Sequence, residues 1–337
     1  MTPPAVPPTA FVRIDHHSAV HLAAATARSI AQQCRLPGAA PDRAAVVASE
    51  LASNLDKHAK DGALYIQPLP LGAGLEILAA DHGPGMPELH RCLADGYTTT
   101  GTLGAGLGAV SRTATDFTIR TQAGVGTLAC ARLALPGQPE PVWQGAGFLC
   151  LPAEGEEECG DAGAIVRHAG IRTAVVVDGL GHGPRAAEAA QTALRAFHAA
   201  GDRPLPQILD SLHRALRHTR GAAVGLLRLH AGHAQYCGIG NVRVLACSPR
   251  GVDHRLTGQP GIVGWKIPAA TTHSIPLAHG TTAVLHSDGI DARWAHAPSP
   301  FMLRLPPPLL AAAVAHGHRS SRDDATVLAA RPEQRPR

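Results

Sequence analysis

The chain has 337 residues, 45% of them hydrophobic and 17% charged, and its 30 basic and 26 acidic side chains leave a net charge of +4. That length suits two domains, each able to bury a core, and the interspersed charges, without an aromatic-rich basic stretch, exclude a dedicated nucleic-acid surface. No apolar run approaches about 18 residues, which excludes an obvious membrane span, and seven cysteines without a CxxC pair, after a proline-rich start lacking signal-peptide regions, point to a reduced cytoplasmic setting.

Ser18–Cys34 carries apolar residues at helical spacing, and Pro41–Lys60 reads as a second helix with Pro41 near its first turn. On it Glu50, Asn54 and His58 recur every four residues and share one face. That stripe is either a solvated polar face or one wall of a site, and Lys57 and His58 read as surface or packing residues or as phosphate contacts. Leu64–Leu69 and Leu75–Asp81 read as strands, the second releasing Asp81 into Asp81-His82-Gly83-Pro84-Gly85. The run Gly101-Thr102-Leu103-Gly104-Ala105-Gly106-Leu107-Gly108 directly precedes a helix ending near Thr115. Such a turn exposes backbone N–H groups at a helix N-terminus, where the macrodipole favours phosphate. Arg112 on that helix reads as a solvated charge. Gly126-Thr127 lies in the strand that closes this half.

In order and spacing, Glu50-x3-Asn54, Asp81-x-Gly83-x-Gly85, Gly104-x-Gly106-x-Gly108 and Gly126-Thr127 resemble the nucleotide site of GHKL ATPases. Within that superfamily the segment from Phe11 to Leu135 is similar to the RsbT/RsbW-type switch kinases. The resemblance implies a domain over 11–137 with the Bergerat α/β sandwich, binding ATP with Mg2+. Asn54 would ligate magnesium, and Asp81 would accept the adenine amino proton with Gly83 and Gly85 beside the ring. Gly104, Gly106 and Gly108 would wrap the phosphates, and Thr127 would close the adenine pocket. Glu50 would be the catalytic base on a serine or threonine hydroxyl.

Pro136–Pro141 reads as a short linker. The acidic run Glu154–Glu158 is either solvated or a source of divalent cations for Asp161. Gly160-Asp161 precedes a strand Gly163–Ala169, a turn at Gly170 and a strand Ile171–Asp178. The consecutive Val175, Val176 and Val177 require cover on both faces of that strand. It delivers Asp178 into Gly179-Leu180-Gly181-His182-Gly183, where Asp178 either caps the helix Pro184–His198 or holds a hard cation with the Gly179 carbonyl. A helix Leu205–Thr219 follows, then strands near Ala222–Leu229, His233–Gly240 and Val242–Cys247, with Gly240-Asn241 expected as a hairpin turn. Gly261-x-x-Gly264 opens a loop. Strand Thr282–His286 ends in Ser287-Asp288-Gly289, and Arg322-Asp323-Asp324-Ala325-Thr326 runs into strand Val327–Ala330. Four strand ends thus present Asp161, Asp178, Asp288 and Asp323. Buried together they would repel one another unless divalent ions neutralised them.

The order Gly-Asp, Asp-Gly-x-Gly-x-Gly, Ser-Asp-Gly, Asp-Asp-x-Thr resembles the metal-dependent (PPM, or protein phosphatase 2C-like) serine/threonine phosphatases of the SpoIIE/RsbX-type branch, from Phe148 to Arg331. It implies a domain over 145–331 with an α-β-β-α sandwich, which makes the whole chain α+β. Asp178, as the catalytic centre, would bridge two Mn2+ or Mg2+ ions with help from Gly179; Asp288 and Asp323 would complete one ion, and Asp161 would hold or orient the other. Leu180 stands where eukaryotic members carry histidine, with His182 nearby, and no arginine just precedes Asp161 to bind phosphate. Asp324 is either a ligand or a hydrogen-bonding partner of its loop. The two resemblances together imply a regulator of partner switching, a phosphatase fused to an ATP-dependent kinase. Its partner and substrate would be a STAS-domain protein of the RsbS/RsbR or anti-sigma-antagonist type. The alternative is an ATP-binding first half that transfers nothing and serves as a docking or allosteric module.

Overall fold

The structure is a computed structural model that describes residues 7–87, 89, 106–135 and 145–333. Two compact units divide the chain, Thr9–Gln144 and, with the residues up to Pro8, Gly145–Arg337.

In the first unit, β1 (Ala10–Ile14), β2 (Gly62–Pro68), β3 (Gly74–Ala80), β4 (Asp116–Gln122) and β5 (Gly126–Ala134) form one antiparallel sheet. Its order is β1-β2-β3-β5-β4. Side chains alternate along each strand, so Val12, Leu64, Ile66, Ile77, Ala129 and Ala131 share one core. Helices α1 (Ser18–Gln33) and α2 (Ala40–His58) cover that face. In α2 the buried Ala44, Val47, Ala48, Leu51 and Leu55 recur three and four residues apart, the period of one helical face. Pro41 occupies its first turn, where a missing N–H costs no hydrogen bond. On the other face the register sets Gln67 beside Glu76 and Glu76 beside Arg132. Arg132 Nε donates to Glu76 Oε2 at 2.6 Å and Gln67 Nε2 to Glu76 Oε1 at 3.0 Å, so this buried carboxylate is fully partnered. A short helix, α3 (Gly106–Thr113), precedes β4.

The second unit holds two antiparallel five-stranded sheets. One has the order β13-β10-β9-β8-β7, from β7 (Asp161–His168), β8 (Ile171–Gly179), β9 (Ala222–His230), β10 (His233–Ile239) and β13 (His273–Pro276). The other has the order β12-β11-β14-β15-β6, from β6 (Ala146–Leu151), β11 (Arg243–Ser248), β12 (Gly251–Thr257), β14 (Thr282–His286) and β15 (Ala325–Ala330). Helices α4 (Pro184–Ala200) and α5 (Leu205–Ala215) pack on the first sheet, while α7 (Pro307–His318), which follows the single turn α6 (Pro300–Leu303), packs on the second. Strand β7 meets β6 and β15, so the layers run α-β-β-α. Val175 and Val177 join the α4–α5 core, and Val176, between them on the opposite face, is equally buried. Among the described residues no helix is long and apolar enough to cross a membrane.

One expected connection differs. Strands β10 and β11 do not pair: β10 bonds to β9 and β13, and β11 to β12 and β14. Gly240-Asn241 is therefore a crossover between sheets rather than a hairpin turn. A glycine at φ +89° serves either path, and local turn chemistry does not distinguish them. Tyr236 spans the crossover, donating its hydroxyl to Val242 O at 2.8 Å.

Candidate functional sites

The register of β7 and β8 sets Asp161 directly opposite Asp178. Asp161 is 3% exposed, Asp178 is half-buried, and Asp288 and Asp323 are exposed. The four carboxylates thus grade from floor to rim and are not all buried, contrary to the expectation from their strand ends. Asp288 lies past the end of β14 and Asp323 before the start of β15, where the chain has left the sheet and water reaches it.

Two neutral side chains organise these acids. Ser287 Oγ donates to Asp161 Oδ2 at 2.6 Å and accepts from Thr326 N at 2.9 Å. Asn241 Nδ2 donates to Asp288 Oδ2 at 2.6 Å, and the same side chain hydrogen-bonds Asp178. In the sequence Asn241 has the look of turn chemistry, and Ser287 stands out only as a neighbour of Asp288. The signal for each was a polar residue at a strand end in an otherwise apolar setting.

Burial, then the Asp288 carboxylate and more weakly Asp323, push Asp178 up to about 7. Burial and Asp178 hold Asp161 well above the usual carboxylate range, and burial and Asp288 raise Asp323. At Gly179 a Cβ would strike the carbonyls of Ala186 and Gly160, so close approach demands glycine there. The positive φ falls later, at Gly181 (+85°) and Gly183 (+75°). Asp178 does not cap α4, whose N-cap is Gly183. Asp324 is buried and holds the connection between β6 and β7 rather than its own loop, accepting from Gly160 N at 2.8 Å and Ala153 N at 3.0 Å. Glu154–Glu158 are exposed, and His182 Nδ1 lies 3.8 Å from Glu156 Oε1.

Among the described residues no three His, Cys, Asp or Glu side chains converge into a ready metal cage; the carboxylates meet in pairs. Their chemistry fits a hard divalent cation. The donors are oxygens, and burial first, then the Asp288 and Asp323 carboxylates, disfavour the ionised form of Asp178, a cost that a bound cation would relieve.

The first unit has a cavity lined by Leu51, Asn54, His58, Asp81, Gly85, Met86, Leu107, Ile119 and Thr127. Asp81 Oδ1 accepts from Gly83 N at 2.7 Å and Thr127 N at 3.3 Å, and burial raises its pKa. A Cβ on Gly83 would crowd Asp81 Oδ1, one on Gly85 (φ +78°) would strike the Gln122 carbonyl, and one on Gly126 (φ +136°) the Asp81 carbonyl. Thr127 Oγ1 lies 3.1 Å from Thr121 Oγ1, which accepts from Met86 N at 2.8 Å. Thr121, not singled out from the sequence, thereby links two walls of the cavity. Among the described residues, buried Asn54 Nδ2 finds no hydrogen-bond partner. The structure thus gathers Asn54, Asp81, Gly85 and Thr127, with Gly83 shaping the floor. Glu50, half-buried one turn earlier on α2, is not among the lining residues. Gly106 and Gly108 lie in α3, and Gly104 falls outside the described residues. Apolar walls, one carboxylate and an orphaned amide fit a flat ring bearing an amino group.

Comparisons with known proteins follow the same division. The family model "Stage II sporulation protein E (SpoIIE)" matches residues 172–333. Over 102 residues the chain is 35% identical to the serine/threonine-protein kinase RsbT of Bacillus subtilis (strain 168), covering 30% of this chain and 77% of RsbT. Over 143 residues it is 27% identical to the phosphoserine phosphatase RsbX of the same organism, covering 42% of this chain and 72% of RsbX. A solved chain of the bacterial stressosome, described as a modular system adapted to control secondary messenger signalling, superposes with a TM-score of 0.51 at 32% identity. That superposition covers 56% of this chain and 98% of the other.

Proposed function

Because the chain belongs to the bacterial partner-switching family of RsbT and of the PP2C-type serine phosphatases RsbX and SpoIIE, we propose that it is a metal-dependent phosphoserine/phosphothreonine protein phosphatase carrying an ATP-binding, RsbT-like unit, and that it acts on a STAS-domain protein. The observation that carries the phosphatase reading is Asp178, held between Asp161 and Asp288 with its carboxyl displaced to about 7 by burial and like charge.

Asp161, Asp178, Asp288 and Asp323, with the Gly179 carbonyl, would hold two Mg2+ or Mn2+ ions, which supply Lewis acidity and charge neutralisation when bound. Asn241 keeps the Asp178 and Asp288 carboxylates side by side, and Ser287 fixes Asp161 from the other sheet. Asp288 and Asp323 stand exposed at the rim, where a phosphorylated side chain on a folded partner can reach them. In hydrolysis water delivers its oxygen to phosphorus, the ester P–O bond breaks, and the serine or threonine oxygen leaves as the hydroxyl.

In the first unit Asp81 would take the adenine amino group and Asn54 the magnesium-bearing end of ATP, with Glu50 as the base for phosphoryl transfer. The alternative is a nucleotide-binding unit that docks or regulates without transferring phosphate. Labelled ATP and a STAS-domain partner of the RsbS/RsbR type, incubated with the Asp178→Ala chain, separate the two. Label reaching the partner, and lost on adding Asn54→Ala, supports the kinase; tight ATP binding without transfer supports the docking unit. Removal of phosphate from the phosphorylated partner by the unaltered chain, dependent on Mg2+ or Mn2+, tests the phosphatase.

A further inference from the structure

We propose that Arg220 anchors the substrate phosphate at the carboxylate site, an assignment that rests on the phosphatase reading above. The β8–β9 ladder pairs Asp178 with Ala223 and Gly179 with Ala222. Past its end Leu180 N still donates to Gly221 O at 3.1 Å, so the next residues facing one another are Gly181 and Arg220. There the guanidinium lies against the acidic loop: a Cβ on Gly181 would sit 2.9 Å from Arg220 Nη1.

The turn bearing Arg220 is held on several sides. Thr219 Oγ1 donates to Leu216 O at 2.8 Å and accepts from Gly221 N at 3.0 Å. Trp265 Nε1 donates to Thr219 O at 3.4 Å, and Ala222 exchanges backbone hydrogen bonds with Val263 at 3.1 and 2.9 Å. Arg220 is exposed, and among the described residues no acid pairs with it. His182, the basic side chain on the loop itself, lies instead near Glu156.

A phosphomonoester dianion approaching Asp178, Asp288 and Asp323 meets like charge that bound divalent ions would neutralise only in part. A guanidinium on the turn facing that loop, level with the third residue past Asp178, offsets that repulsion and presents a fork matched to two phosphate oxygens. Lysine at this position would keep the charge and lose the fork.

The test uses the full chain with saturating Mn2+, comparing wild type, Arg220→Ala and Arg220→Lys. It measures hydrolysis of a phosphoserine peptide, competitive inhibition by inorganic phosphate, and the Mn2+ concentration giving half activation. The expected result for Arg220→Ala is a rise of about tenfold or more in both KM and the phosphate inhibition constant. The smaller change should be in kcat, Mn2+ activation should be unaltered, and Arg220→Lys should fall between. Wild-type KM and phosphate inhibition in Arg220→Ala would overturn the assignment while leaving the phosphatase intact. A wild-type chain without metal-dependent hydrolysis would overturn the phosphatase reading, and the anchor with it.

Discussion

Ser287 Oγ donates to Asp161 Oδ2 at 2.6 Å, joining the end of one sheet of the second unit to the buried carboxylate that opens the other. Both groups are nearly inaccessible to water, so neither finds a replacement partner if the bond is lost. Ser287→Ala should cost about 1–3 kcal/mol of stability, because Asp161 and Thr326 N are each left short of a partner. Urea unfolding measures this, and an unchanged midpoint would show that water satisfies Asp161.

Asn241 ties Asp288 to Asp178. Without it the two carboxylates repel with nothing to orient them. Asn241→Ala should therefore raise the Mn2+ concentration for half activation by about 10- to 100-fold, the usual cost of removing a group that orients metal ligands. Manganese titration of the chelator-treated protein reads this directly.

Nucleotide binding in the first unit should depend on Asp81 and Asn54. Asp81→Asn sets an amide N–H against the adenine amino group, and Asn54→Ala removes the amide oxygen that would ligate magnesium; each should weaken ATP binding by about tenfold or more in calorimetry. Burial raises the Asp81 pKa, so as pH falls the ionised acceptor should be lost, and ATP affinity with it, above the ordinary carboxylate range.

His286 is buried beside the carboxylate site, and burial lowers its pKa from 6.5 to about 4. A histidine kept neutral by the fold stabilises it above pH 6.5, and that stability is lost as pH falls from 6.5 through 4. The difference amounts to at most about 3 kcal/mol. Wild type should lose stability over this window more steeply than His286→Gln, as unfolding at matched pH values would show.

Much of this architecture was legible because local chemistry and global fold agree. The unbroken Val175–Val177 demanded cover on both faces and received it, and the aspartates stand where strands end. What the sequence hid depends on pairing across long separations. Gly240-Asn241 has the composition of a hairpin, yet it carries the chain from one sheet to the other, and only that crossover brings Asn241 beside Asp288, 47 residues away. The exposure of Asp288 and Asp323 was equally hidden, since a strand-end motif does not say how far beyond the sheet its carboxylate stands.

On the proposed reading, carboxylates from separate strands assemble a divalent-metal site that hydrolyses phosphoserine. Phosphate release from a phosphoserine peptide, followed as Mn2+ is returned to the chelator-treated chain, tests it most directly. Release should be absent with chelator, restored in wild type by Mn2+, and absent throughout in Asp178→Ala. Release that persists in chelator, or that survives Asp178→Ala, would contradict it.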